Sequence, residues 1–308
     1  MKFDNLLTKF IESMVSEGYK PPTILSYKHT LSQFGNWIEE NYPDAYHDHR
    51  HLNAEIVNKY LLEYLTCSLT TKREYAKTIR TFSKWLIRTD RKNTDITRKL
   101  PSFRPERSKV KWLEEDKIKT SLQKAEKCSE RDYLILLLLL QTGLRAGSPT
   151  KQMTVKGQTI ERKDESFLGI KIKDINFAEC QITIGRTKMH PEGQTVYFTT
   201  ELGKRLKAYV EEQQLLHYGR EYLFYNRNGK PLDYAGLRNI TQKYAGVSPH
   251  KFRHSFGVMM RKAGYDLDVI AKLMNHTNLQ MTQQYAEIVD EMAKEEYRDE
   301  KNPFLSVI

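Results

Sequence analysis

No stretch of this 308-residue chain is apolar for long enough to span a bilayer. The longest apolar run, Leu134 to Leu140, falls far short of the ~20 residues that a membrane helix needs, so it reads as a buried helix. The opening residues do not read as a secretory leader either: MKFDNLLTKFIESM is acidic and amphipathic where a leader would be basic and then apolar. Cysteine is scarce. Cys67, Cys128 and Cys180 are odd in number and far apart, with no CxxC pair. That argues against a disulfide framework or a zinc ribbon and fits a reducing, cytoplasmic compartment. Metal-ligand spacing is lacking as well. His47, Asp48, His49 and His51 cluster in an apparent loop without helical ligand spacing, so they read as solvated and no metal is expected. There is no internal repeat and no low-complexity tract beyond the charged tail EMAKEEYRDEKNP. Acid is in deficit: 39 Asp and Glu stand against 50 Lys and Arg, a formal net charge of +11. Such an excess favours a polyanionic partner, nucleic acid first and an anionic membrane surface second.

What is present at the start is helix after helix. Leu6, Leu7, Phe10, Ile11 and Met14 form a helical stripe that Gly18 closes. Ile24, Tyr27, Leu31, Phe34, Trp37 and Ile38 form a second, and NAEIVNKYLLEYL reads as a third. The fourth, from Thr70 to Arg88, is the most informative. Its Arg73, Lys77, Arg80, Lys84 and Arg88 are spaced by four, three, four and four, so all five fall in one sector. Tyr75, Ile79, Phe82, Trp85 and Leu86 take the opposite side. One face packs, and the other presents a row of cations about 22 Å long at ~1.5 Å per residue. A solvated face would interleave acids at i, i+4, and the only acid here is Glu74. The row is therefore expected to contact a DNA backbone.

Residues 89–111 hold two prolines and many cations with almost no apolar period, which reads as a basic linker. Beyond it the pattern turns mixed. EEDKIKTSLQKAEK and ERDYLILLLLLQTG read as helices, the segment from SFLGIKIKDINF to QTVYFT as a small antiparallel sheet, and the C-terminal third as helix again. The expected fold class is mainly α (α+β). Its parts are a helical DNA-binding domain over residues 1–88, the linker, a mixed helical domain with a small antiparallel sheet over 112–298, which the motifs below make the candidate catalytic domain, and a tail over 299–308.

Within the second domain, cations gather where chemistry could use them. SPHKFRHSFG places His250, Lys251, Arg253 and His254 in five residues and contains no acid to pair with them. Ser248 suits a helix cap and Pro249 the first turn, with Phe252, Phe256, Met259 and Ala263 as the apolar stripe. His250 and Arg253 then stand at a helix N-terminus, where unpaired N–H groups already favour an anion. Arg145 follows a long apolar helix in QTGLRAG, and Lys188 sits at a hairpin tip in GRTKMHPEG. His276 and Tyr285 lie in LMNHTNLQMTQQYAEI.

With these residues the chain resembles the tyrosine site-specific recombinases, the phage integrase family, over essentially its whole length. The resemblance is carried by TGLR, a lysine on the following hairpin, HKFRHSF for the family's H-x-x-R-H pattern, and LMNH followed nine residues later by Tyr285. YLFYNRNGKPL and KAGYDLDVIAKLM are also similar to the family. Two departures stand out. Ser148 occupies the position where the family usually has a supporting acid, and a polar stretch, SPTKQMTVKGQTIERKDES, replaces the usual leucine-rich run, as an insertion or a remodelled loop.

The resemblance implies cleavage and rejoining of DNA through a 3′-phosphotyrosyl link, with neither ATP nor another cofactor. It makes Tyr285 the nucleophile, Arg145 and Arg253 the phosphate clamps, and His276 a further donor. His250 is then the general base for Tyr285, and Lys188 the general acid on the leaving 5′-oxygen. His254 is either an accessory donor or part of the helix surface. The implied partners are duplex DNA with an inverted-repeat core site, further copies of the chain (a dimer on each site and a tetramer in the synapse), and accessory DNA-bending proteins. The two domains would clamp the duplex, and the C-terminal tail, with Phe304, Leu305, Val307 and Ile308, would dock on a neighbouring protomer. A type IB topoisomerase shares the nucleophile but reseals its own strand. A DNA-binding relative with a dead site would keep the surface and lose the chemistry.

Overall fold

The structure, a computed structural model, describes residues 1–104, 111–147, 153–155, 158–160, 166–185, 193–274, 280–283 and 285. The chain divides into two compact units, Met1–Ser108 with Gln152–Ile160, and Lys109–Lys151 with Glu161–Ile308.

The first unit is helical. Helices α1 (Phe3–Ser16), α2 (Pro21–Asn41), α3 (Pro43–His47), α4 (Ala54–Asn58) and α5 (Leu69–Arg88) surround a core rich in aromatic rings. The stripe expected on α1 is buried as Leu6, Leu7, Phe10, Ile11 and Met14. Phe10 sets its ring edge-on to Phe82 at 5.3 Å and to Trp85 at 5.4 Å, which ties α1 to α5. The third expected helix starts where Asn53 Oδ1 accepts from the N–H groups of Glu55 and Ile56. It then widens into a π turn over Lys59–Tyr64, with Tyr60 and Leu61 buried. On α5, Ile79, Phe82, Trp85 and Leu86 are buried as the spacing requires, and Ser68 caps the helix through Thr71 N–H. The segment after α5, expected as linker, contributes to this core before it leaves. Ile96 is buried and Leu100 and Phe103 pack beside it. Asp95 Oδ1 accepts from Ser83 Oγ, Thr97 N–H and Thr97 Oγ1, each at 2.7 Å, and Ile96 N–H donates to Ser83 Oγ at 3.1 Å.

The second unit is built on α6 (Glu115–Cys128) and α7 (Glu130–Thr142), whose leucine run is buried as expected. Strands β3 (Ile175–Asn176), β4 (Gln181–Ile184) and β5 (Gln194–Tyr197) form an antiparallel sheet in the order β3-β4-β5. Its register sets Ile175 opposite Ile182 and Ile182 opposite Val196, so one face feeds the core. Helices α8 (Thr200–Leu216), α9 (Tyr234–Ala245), α10 (Pro249–Lys262), α11 (Leu267–Leu273) and the short α12 (Gln280–Gln283) complete it, with α10 packed along α7. The polar stretch read as an insertion or loop contains a hairpin that is grouped with the first unit, β1 (Met153–Val155) paired antiparallel with β2 (Gln158–Ile160). Among the described residues, no helix is long and apolar enough to cross a membrane, and no group of His, Cys, Asp and Glu could hold a metal ion.

Candidate active site

Helix α10 is the axis of the site. It opens at Pro249, but the expected cap is not made by a side chain: Ser248 contributes its carbonyl, which accepts from Lys251 N–H at 3.0 Å. The expected apolar stripe also shifts. Phe252 and Phe256 are buried, yet Met259 is exposed and Ala263 closes the helix. The buried sector instead takes in Arg253, Ser255, Gly257 and Val258, because α10 is covered on more than one side. Ser255 Oγ fixes the chain entering the unit by accepting from Leu113 N–H at 2.8 Å, and Lys251 Nζ donates to Lys111 O at 2.9 Å.

Arg253, read from the sequence as a phosphate clamp beside His250, points inward and is only 3% exposed. Its guanidinium donates to Gly143 O at 2.6 Å and to Met274 O at 2.7 Å. Those carbonyls end α7 and α11, and each lies two residues before another expected phosphate ligand, Arg145 and His276 respectively. Gly143 turns the chain at φ +57°, and a Cβ there would stand 2.5 Å from Phe256 Cδ1, so only glycine fits the turn into Arg145. Burial, with the Arg145 charge, lowers the Arg253 pKa to about 10, so it stays cationic at neutral pH. Arg145 is exposed, and its carbonyl accepts from Phe167 N–H at 3.0 Å.

Tyr285 follows α12 in a turn, its N–H donating to Thr282 O at 2.9 Å. It is 1% exposed and packs with Phe256, Val258, Ile270 and Met274. Its hydroxyl lies 3.2 Å from His254 Nδ1. Burial pushes its pKa up to about 12, against the pull of Arg253 and Arg145. His254 in turn packs edge-on against His250 at 4.4 Å. Burial lowers the His254 pKa to about 4, assisted by His250, Lys251 and Arg253, while burial and the Arg253, Arg145 and Lys251 charges lower that of His250. Both imidazoles are neutral at neutral pH.

The structure thus brings Tyr285, Arg253, His250 and the charge of Arg145 together. Lys188, His276, Ser148 and the tail beyond Tyr285 lie outside the described residues. What sequence reasoning left open is His254, which faces the phenol. A signal was available: positions 250, 254 and 257 run down one helix face.

An arrangement of a buried phenol, two guanidiniums and neutral imidazoles can serve phosphoryl transfer. The phage integrase family model matches residues 111–292, and the chain belongs to that family. It is a tyrosine recombinase, an enzyme that breaks and rejoins DNA. It is 26% identical to the tyrosine recombinase XerA of Saccharolobus solfataricus, over 95% of this chain and 91% of that one. It is 25% identical to the tyrosine recombinase XerC of Staphylococcus epidermidis, over 92% of each. The fold is shared with the Tn1549 transposon integrase in complex with transposon right end DNA, at a TM-score of 0.68 and 15% identity over 96% of this chain and 99% of that one. It is shared also with a lambda integrase dimer bound to a COC′ core site, at a TM-score of 0.67 and 16% identity over 91% and 97%.

Proposed function

We propose that Tyr285 attacks a DNA phosphodiester held by Arg145 and Arg253, leaving a 3′-phosphotyrosyl link and a free 5′-hydroxyl. The observation that carries this is the placement of the buried Tyr285 phenol within the field of two guanidiniums that both lower its pKa. A phosphodiester repels nucleophiles, and attack adds negative charge to its non-bridging oxygens, so preorganised cations are what the reaction needs. Guanidinium meets that need with directed paired donors and a charge that persists.

As the Tyr285 oxygen bonds to phosphorus, the phenol proton passes to His250 and the bond from phosphorus to the 5′-oxygen breaks. Lys188 protonates that oxygen, and His276 supplies a further hydrogen bond to the phosphate. One phosphate ester replaces another, so the step is reversible, and a hydroxyl from a second strand completes the exchange. A neutral imidazole can accept the proton, as the lowered pKa of His250 requires.

The DNA partner is a duplex with an inverted-repeat core, bound by two protomers and brought with a second such duplex into a tetramer, with DNA-bending proteins as accessories. The cations of α5 support the duplex contact: Arg73, Lys77, Lys84 and Arg88 are exposed and Arg80 half-buried. Their local partners are the carboxylates of Glu74 and Glu17 and the Pro101 carbonyl. Exposed pairs of this kind contribute only ~0–1 kcal/mol, which a phosphate can displace.

Covalent trapping tests the reading. Labelled duplexes from the flanks of the protein's own gene, nicked so that cleavage cannot reverse, are incubated with the protein and with Tyr285→Phe, then run on a denaturing gel. A protease-sensitive adduct at one short inverted repeat, absent with Tyr285→Phe, is expected. Adducts scattered over any DNA would mark a topoisomerase-like enzyme, and binding without any adduct would mark a dead site.

A further inference from the structure

Positions 250, 254 and 257 of α10 line one face of the helix, and the last of them is a glycine. Its backbone is ordinary helix, so conformation does not call for glycine there. The Tyr285 ring does. A Cβ on Gly257 would stand 2.6 Å from Tyr285 Cζ and 2.8 Å from both Cε atoms. The ring therefore lies directly on the helix backbone, in a gap that any side chain would fill. The hydroxyl borne by that same Cζ meets His254 Nδ1 at 3.2 Å, with the two rings inclined at 62°. The His250 ring packs edge-on against that of His254 at 4.4 Å. A histidine that merely decorated the helix surface would have no reason to stand one turn from such a gap.

We propose that His254 and Gly257 form a built seat for the nucleophile, Gly257 admitting the Tyr285 ring and His254 acting as a positioning residue whose Nδ1 accepts a hydrogen bond from the phenol. This rests on the strand-transfer reading above and adds a residue to which that reading gives no task. The ionisation of the pair agrees with it. His254, at about 4, is neutral and free to accept, and Tyr285, at about 12, keeps its proton. The seat stores the nucleophile in its protonated, unreactive form, with the oxygen already aimed. Removal of the proton is left to the moment when a phosphate is engaged and His250 takes it.

The test exploits side-chain shape. Asparagine places an amide oxygen close to the position of Nδ1, whereas glutamine carries its amide toward that of Nε2. On the nicked duplexes, His254→Gln is expected to form the Tyr285 adduct about tenfold or more slowly than wild type. Its DNA affinity, read by gel shift, should stay within about threefold. His254→Asn should recover most of the rate, and Gly257→Ala should bind DNA but form almost no adduct. Equal rates for wild type and His254→Gln would overturn the proposal, as would equally slow Asn and Gln variants, since that pattern belongs to packing alone. If wild type itself gave no adduct, the strand-transfer reading would fail and the seat would be judged without DNA. In imidazole-15N-labelled protein, Tyr285→Phe must then shift the His254 Nδ1 resonance. An unmoved resonance would overturn the seat by itself.

Discussion

At the residue scale the two arginines of the site differ in kind. Arg253 is tied to two backbone carbonyls inside the fold, while the Arg145 side chain is exposed beyond the end of α7. Replacement by lysine should separate the two. Lysine keeps the charge but lacks the planar fork, so Arg253→Lys loses at least one buried carbonyl bond as well as paired phosphate donors. We expect it to lower both adduct formation, by about 100-fold, and stability, by ~1–3 kcal/mol. Arg145→Lys should lower adduct formation as well, and thermal melting of the two variants beside the cleavage assay separates lost chemistry from lost stability. The histidines give a pH dependence of known sign. The folded pKa of His254, about 4, lies below its unfolded value of 6.5, so the unfolded chain binds more protons between the two. Stability from this source is complete above pH 6.5 and is lost as pH falls toward 4, by up to ~3 kcal/mol at 1.36 kcal/mol per pH unit. His250 acts in the same direction, and the groups around His254 that set the effect are His250, Lys251, Arg253 and Tyr285. Melting temperatures between pH 7 and 4 should fall less steeply in His254→Asn than in wild type.

At the scale of elements, legibility followed the period of the apolar residues. The α5 stripe was readable because its apolar positions fall 3.6 apart and its cations between them, and Ile79, Phe82, Trp85 and Leu86 are buried accordingly. The π turn at Lys59–Tyr64 was not, since its apolar spacing suits an α-helix equally well. The carbonyl partners of Arg253 were not readable for a related reason: helical spacing places a side chain on a face but does not say whether carbonyls wait inside to receive a guanidinium. His254 was left undecided because its partner lies 31 residues away, a distance that no local pattern records. The segment after α5 was judged by its charge, whereas Ile96 and the short polar residues around it decide its path. Asp95→Ala removes three hydrogen bonds there and leaves Ser83 Oγ without its acceptor. It should destabilise the first unit by ~2 kcal/mol and expose residues 89–104 to limited proteolysis, visible as a new cleavage site by mass spectrometry.

At the scale of the whole molecule, the net charge of +11 becomes a measurable quantity. Each phosphate neutralised contributes about −0.9 to the slope of log affinity against log salt. Lys77→Ala with Lys84→Ala should therefore make the slope shallower by about 2 if both touch the DNA backbone. A slope unchanged from wild type would leave that face of α5 without a role in binding. Family membership was legible from an ordered set of short motifs, because chemistry fixes residue types where packing fixes only their volume. The paired carbonyl bonds of Arg253 have one further consequence, and it concerns entropy. A free arginine carries about 2 kcal/mol of rotamer freedom that would be lost on gripping a phosphate. In this protein that freedom is already surrendered as the chain folds around Gly143 and Met274, so under the proposed clamp role the ordering would belong to the folding equilibrium and not to the activation barrier.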